Sequence, residues 1–368
     1  MTDREMELLE ETQEEEKEEL SREEKRGRRR ARARRAGVVI DRIFGFFLAV
    51  GILFGVAGLG VEYILIDGPS PALRETFVMT MLETRRFRWI PNIFLSAEQL
   101  KQYTTRDVQT VDTVSDPSLI QIHGQDTQIG SLAGEKEESD SYGLVDEDGD
   151  GIIIDEVKGR GFSGKMMIVL DPSRCFIGDG GGGLTINSIA EKYGATGGIN
   201  GGAFFDPSGG GSGGQPEGLT IYDGVVRHNP GYACSIAGFN SDHVLFVGWF
   251  TYEDCVANDI VSCVSFSPPL IINGVPNENL VSSVNPRTSI GQRADGAVLM
   301  LVIDGRQASG MGATYADMRD VMLQYGAVNA CNLDGGSSSV MYYQGEIINM
   351  PSSASGASRW LPNAFLFK

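Results

Sequence analysis

The sequence predicts an α+β fold, a mixed β-sheet domain with flanking helices, preceded by one transmembrane helix. Three observations predict it. Ile43 to Val61 carries no charge for 19 residues, a length that spans a bilayer core at about 1.5 Å per residue. Short apolar runs broken by Gly and Pro recur through the C-terminal half, the pattern of strands joined by turns. Two stretches among them have helical spacing. Gly, at 48 of 368 residues, clusters at 178–218 and near Gly335 without a period, so it makes loops.

In chain order, residues 1–36 form a charged tail. Residues 4–24 have few apolar side chains to bury and read as a solvated helix or disorder. A basic block from Lys25 to Arg35 follows, immediately before the apolar run. By the positive-inside rule this places the N-terminus in the cytoplasm and exports everything beyond about Asp67. The run lacks a small-residue cleavage site, which favours a retained signal anchor over 37–66. Residues 67–145 read as a stalk or spacer without chemistry, containing helices near Ala72–Thr84 and, capped by Ser96, through Tyr103.

A domain over 146–368 comes next. Asp146, Asp148, Asp150 and Gly151 open like a calcium loop, but the twelfth position is Val157, so an acidic turn before a strand is the reading. Strands are predicted at Gly164–Leu170, Leu219–Tyr222, Val244–Phe250, Ala297–Ile303 and Val340–Tyr343. Helices are predicted at Thr185–Tyr193 and Tyr315–Tyr325, the latter capped by Thr314.

The net charge is −18, and residues 1–35 balance to about −1, so the rest of the chain repels nucleic acid. Cys175, Cys234, Cys255, Cys263 and Cys331 have no metal-ligand spacing; Cys255 and Cys263 are close enough in sequence for a disulfide loop in an oxidising compartment. No G-x-S-x-G elbow for Ser/His/Asp chemistry and no Walker phosphate loop is read, and His123, His228 and His243 lie outside the polar clusters described next.

Four clusters carry chemistry. GGINGGAFFD at 197–206 places Asn200, Gly201, Gly202 and Asp206 where backbone amides and an amide side chain can meet sugar hydroxyls. NPRTSIG at 285–291 presents Arg287, a fork suited to phosphate, with Thr288 as a further donor. VIDGRQ at 302–307 delivers Asp304 at a strand end, and NLDGGSSSV at 332–340 concentrates Asp334, Gly335, Gly336 and Ser337.

This ordered set, NGGAFF, PRTSIG, DGRQ and NLDGGSSSV, resembles the phosphodiester glycosidase family over about Ile152 to Lys368. The resemblance departs at Ala203 and Ser337, both small residues. It implies hydrolysis of a glycosyl-1-phosphodiester, on cell-envelope or exopolysaccharide glycans, with Arg287 on the phosphate and Asp304 and Asp334 as the catalytic carboxylates. No cofactor is expected. Two other readings fit the same residues: a metal-dependent phosphodiesterase using Asp206, Asp304 and Asp334 around a divalent cation such as calcium, and an envelope glycan-binding scaffold without turnover.

Overall fold

The computed structural model describes residues 22, 25–29, 37, 40–60, 62, 63, 66, 68–84, 87–104, 114–122, 142–206, 212–281, 283–307, 310–353 and 356–368. The expectations for residues 4–21 and for His123 lie outside them, as does much of the polar spacer. The chain divides into two compact units, Met1–Pro69 and Ser70–Lys368.

In the first unit α1, Ile40–Gly60, is 21 residues long with a mean hydropathy of 2.3 and no buried share, long and apolar enough to cross a membrane.

The second unit opens with α2 (Pro71–Glu83), α3 (Pro91–Phe94) and α4 (Ala97–Thr104). Ser70 Oγ accepts from Leu73 N and Pro71 occupies the first helical position, where its missing N–H removes nothing. At the start of α4, Ser96 and Gln99 cap each other reciprocally. The spacer helices expected from sequence are therefore present, but they belong to the same compact unit as the rest.

Next come β1 (Ile152–Gly159), β2 (Phe162–Val169), β3 (Cys175–Leu184), α5 (Ile186–Tyr193) and β4 (Gly197–Asn200). They are followed by β5 (Thr220–Tyr222), β6 (Val225–His228), β7 (Cys234–Asn240), β8 (Leu245–Phe250), α6 (Tyr252–Ala257) and β9 (Ile260–Ser265). The last group is β10 (Pro269–Ile272), β11 (Val275–Pro276), β12 (Arg287–Arg293), β13 (Val298–Ile303), α7 (Tyr315–Gln324) and β14 (Ala327–Asn332), then β15 (Met341–Tyr343), β16 (Glu346–Ile347) and β17 (Leu361–Phe367).

The described strands form three sheets, not one large mixed sheet. The central seven-stranded sheet has order β1-β2-β13-β12-β14-β10-β11; the others run β16-β15-β4-β17-β3 and β6-β5-β9-β7-β8. The described ladders are antiparallel, for example Arg287 to Gln292 of β12 against Ile303 to Val298 of β13. The fold class is α+β, as expected, with short connections favouring antiparallel neighbours.

Burial explains the layers. In β13, Val298, Met300 and Val302 face one core shared with both smaller sheets, while Leu299, Leu301 and Ile303 face a second core with Tyr315, Met318 and Met322 of α7. A strand covered on both faces reads as a continuous apolar run, which is why it was legible. β12 was not. Its sequence RTSIGQR is mostly polar yet wholly buried, because its polar atoms find partners inside: Ser289 Oγ donates to Cys331 O at 2.9 Å and Gln292 Nε2 to Gly296 O at 2.9 Å. β3, CFIGDGGGGL, is a strand where its glycine cluster predicts a loop; at Gly180 an added Cβ would stand 2.4 Å from Leu361 O, so glycine lets β17 approach.

Cys255 and Cys263 are buried free thiols in one apolar cluster; their mutual hydrogen bond and burial push the Cys263 thiol well up. Asp146, Asp148 and Asp150 bring carboxylate oxygens within 4.8 Å of one another in a turn that they cap through the amides of Gly149, Gly151 and Ile152.

Met300 is fully buried between the central sheet and the two smaller ones. Met300→Ala is expected to destabilise the domain by about 2–5 kcal/mol in denaturant unfolding. An unchanged midpoint would mean that this core tolerates the cavity.

Candidate functional site

β12 is antiparallel to both β13 and β14, so its first residue lies beside their last ones. Arg287 pairs with Ile303 and Ser289 with Asn332. Pro286, Asp304 and Asp334 consequently leave one edge of the central sheet together. The 334–339 loop folds back over β12: Leu333 N donates to Thr288 O at 2.8 Å and Gly336 N to Pro286 O at 2.9 Å.

The end of β4 joins this edge through Asn200, whose side chain is wholly buried. Its Oδ1 accepts from Thr288 Oγ1 (2.8 Å) and Val340 N (3.1 Å), and its Nδ2 donates to Asp334 O (2.6 Å). Asn200 and Thr288, expected to meet substrate, are thus taken up by the protein and act as a staple between two sheets. Gly201 and Gly202 serve the same junction. A Cβ at Gly201 would lie 2.1 Å from Asn363 Oδ1, which accepts from Gly202 N at 2.7 Å.

Around the 334–339 loop the structure gathers cations. Arg359 Nη1 donates to Ser337 Oγ at 2.9 Å and its Nη2 to the buried Asp206 carboxylate at 2.7 Å. Arg306 lies on the other side: a Cβ on Gly336 would be 3.2 Å from its Nη2, so glycine makes room for the guanidinium. Gly336 has φ +63°, a turn conformation that glycine adopts without strain. Gly335 approaches Pro286 O, where a Cβ would be 2.8 Å away. Burial, then the neighbouring charges of Arg287 and Arg359, hold the Arg306 guanidinium below its ordinary value. Ser338 Oγ, Ser339 Oγ and Asn332 Oδ1 are buried with no protein partner among the described residues, so this end of the sheet has polar capacity for water or a ligand.

Arg287 was expected to face phosphate. Instead its guanidinium is enclosed. It stacks 3.7 Å from the centre of the Tyr315 ring, donates through Nε to Ala313 O (3.2 Å) and through Nη2 to Ser283 O (2.9 Å), and pairs with Glu83 (3.2 Å). Glu83, at the C-terminus of α2, also accepts from Ser283 Oγ (2.7 Å), Asn285 Nδ2 (3.1 Å) and Tyr315 Oη (3.2 Å). Its neighbour Thr84 receives a bond from Arg306 at 3.2 Å. The segment read as a chemically empty spacer therefore contributes to the arginine cluster. One signal was in the sequence: a carboxylate in the last turn of a helix opposes the dipole, so it needs a cation from elsewhere. Arg359, between Ser358 and Trp360, carried no such signal.

Asp304 is half-buried. Its Oδ1 accepts from Asn349 Nδ2 and Met350 N, both at 2.9 Å, and Asn349 in turn reaches Ser339 O at 3.4 Å. Burial outweighs those two hydrogen bonds and raises the Asp304 carboxyl above the usual range. The carboxylates that gather within 4.8 Å are Asp146, Asp148 and Asp150, not Asp206, Asp304 and Asp334.

Glu83→Ala would leave Arg287 buried without its counter-ion. The expected loss is roughly 2–3 kcal/mol in denaturant unfolding of the detergent-solubilised chain, and a fragment beginning at Asp146 should be weakened similarly. Equal stability in both would show that Arg287 is satisfied without α2.

A sequence profile of the phosphodiester glycosidase family matches residues 193–368, beginning later than the Ile152 suggested by the motifs. Over 237 residues the chain is 26% identical to the mouse N-acetylglucosamine-1-phosphodiester alpha-N-acetylglucosaminidase, covering 56% of this chain and 45% of that protein. An uncharacterised prophage-derived protein of Bacillus subtilis is 43% identical over 65 residues, 18% of this chain and 10% of the relative. The chain spans less than half the length of these curated relatives. The zebrafish enzyme of the same name, as its catalytic domain auto-inhibited by pro-peptide, superposes with a TM-score of 0.50 at 20% identity, covering 59% of this chain and 81% of that structure, a likeness of fold. The C-terminal segment of this chain, residues 193–368, thus carries the sequence profile of the phosphodiester glycosidase family.

Proposed function

We propose that the chain is a membrane-anchored hydrolase that cleaves the sugar to phosphate bond of glycosyl-1-phosphodiesters, on cell-envelope or exopolysaccharide glycans. The observation that carries this is the arginine cluster at the 334–339 loop, beside two carboxylate-bearing strand ends. In this reading α1 is the anchor, with the N-terminus cytoplasmic and the second unit exported.

The enclosure of Arg287 moves the phosphate to Arg306 and Arg359, assisted by Ser337 and the amides of Gly335 and Gly336. Water attacks the anomeric carbon as its bond to the phosphate oxygen breaks, and the bonding electrons leave with a phosphomonoester. Guanidinium charge stabilises that leaving group, so protonation of it contributes little. Asp304, with its raised carboxyl, accepts the proton of the attacking water; Asp334 stabilises the oxocarbenium-like sugar. Asn200, Thr288, Gly201 and Gly202 hold the frame, and Arg287 with Glu83 orders the arginines. Pairing of Asp206 with Arg359 weakens the alternative of a three-carboxylate metal site, since its charge is already compensated.

Incubating the solubilised chain with glycosyl phosphodiesters and identifying products by mass is expected to yield free sugar and an intact phosphomonoester. Release of a sugar phosphate, abolished by EDTA, would instead establish the phosphodiesterase. Arg306→Ala and Arg359→Ala should each lower kcat about 10²–10³-fold. Glycan binding without turnover would leave the scaffold reading.

Asp304 must be ionised to act as base, so kcat/KM should fall on acidification through a midpoint above the ordinary 3.8 of an aspartate. Asp304→Asn should remove that acid limb and reduce kcat about 10²–10⁴-fold. A profile unchanged in shape and height would take Asp304 out of the reaction.

A further inference from the structure

A cavity of about 450 Å³ lies between the Phe205 segment and the β5–β6 region, lined by Phe205, Gln215, Pro216, Glu217, His228 and Tyr232 among others. Its volume is in the ordinary range of ligand pockets, about 300–1,000 Å³. Phe204 bridges to Pro216, Phe205 N donates to Gln215 O at 2.8 Å, and Glu217 N to Ala203 O at 2.9 Å, so two lining segments are locked together. From this frame Phe205 and Tyr232 expose 54% and 67% of their surfaces.

Exposed aromatic rings beside a polar cavity offer apolar faces to a ring that is apolar on its faces and polar at its rim. Gln215 supplies an amide donor and acceptor, and Glu217 a carboxylate acceptor. His228 Nδ1 is 2.5 Å from Gly218 O; a carbonyl partner puts the proton on Nδ1 and leaves Nε2 as an acceptor. Among the described residues no arginine or lysine lines the cavity, so it does not favour phosphate. The phosphate cluster is nonetheless adjacent along the chain: Asp206 follows Phe205 and binds Arg359, which binds Ser337.

We infer that this cavity binds the hexopyranose ring of the substrate, stacked on Tyr232 and Phe205 with its hydroxyls on Glu217, Gln215 and His228. This assignment rests on the proposed hydrolase reading, with the neutral sugar in the aromatic cavity and its phosphate on Arg306 and Arg359. None of the four motif clusters contains Tyr232, Gln215 or Glu217.

The test uses the full chain in detergent, with Tyr232→Ala and Phe205→Ala. Direct binding of N-acetylglucosamine, N-acetylgalactosamine, glucose and mannose is followed by saturation-transfer NMR, with inorganic phosphate as a separate inhibitor. At least one sugar should bind, and each variant should weaken it about tenfold, the effect of losing one stacked ring. KM for the 1-(methyl phosphate) diester of that sugar should rise equally with kcat within about twofold, while phosphate inhibition is unchanged. Failure of all four sugars to bind, or binding indifferent to both variants, overturns the cavity assignment. Because sugar binding is read without turnover, loss of binding in the variants of a chain that hydrolyses no diester would support the cavity and refute the hydrolase. Turnover with binding indifferent to both variants would do the reverse.

Discussion

The buried side chain of Asn200 is the junction on which the candidate site depends. It accepts from Thr288 of the central sheet and Val340 N of the second sheet's approach, and donates to the carbonyl of Asp334. A buried amide left without partners would be strongly unfavourable, so these three bonds admit one arrangement of the two sheets. That arrangement sets the path of the 334–339 loop and with it the positions of Asp334, Gly336 and Ser337. The glycines beside Asn200 are part of the same constraint, because Asn363 occupies the space where a Gly201 side chain would begin.

Around this frame, charge is organised by compensation. Three arginines lie near one loop, and the chain supplies Glu83 to Arg287 and Asp206 to Arg359. Arg306, whose hydrogen-bond partners among the described residues are the neutral Thr84 and Asn285, is held below its ordinary value by burial and its cationic neighbours. A surrounding of this kind attracts an anion, which is the physical content of assigning phosphate here. It also gives a reason for α2 to pack on the domain: Arg287 sits in a nearly closed site whose last polar partner comes from outside the family-matched segment.

The strong motifs of the sequence had more than one purpose. NGG and PRTSIG looked like ligand contacts because they combine small, polar and charged residues, yet Asn200, Thr288 and Arg287 spend their polar atoms on the protein itself. DGG before SSS differs: Asp334 to Ser337 stay partly exposed, while the hydroxyls of Ser338 and Ser339 are buried without a protein partner among the described residues. Residue type alone does not separate these cases, since a buried polar group that is satisfied and an exposed one awaiting a ligand are spelled with the same letters.

By itself the sequence determined what local physics dictates: the apolar length of α1, the both-face apolar run of β13, the caps at Ser96 and Thr314, and the strand-to-turn delivery of Asp304 and Asp334. Only the tertiary structure decided that the described strands divide into three antiparallel sheets, that a polar β12 is buried within the central one, and that Arg306 and Arg359 meet at one loop while Glu83 reaches Arg287. Those outcomes depend on contacts across up to about two hundred positions, such as Glu83 with Arg287, which local periodicity does not encode. Hydrogen bonds and ion pairs formed at such separations are specified by the packing of the sheets, and become visible only once the chain has closed on itself.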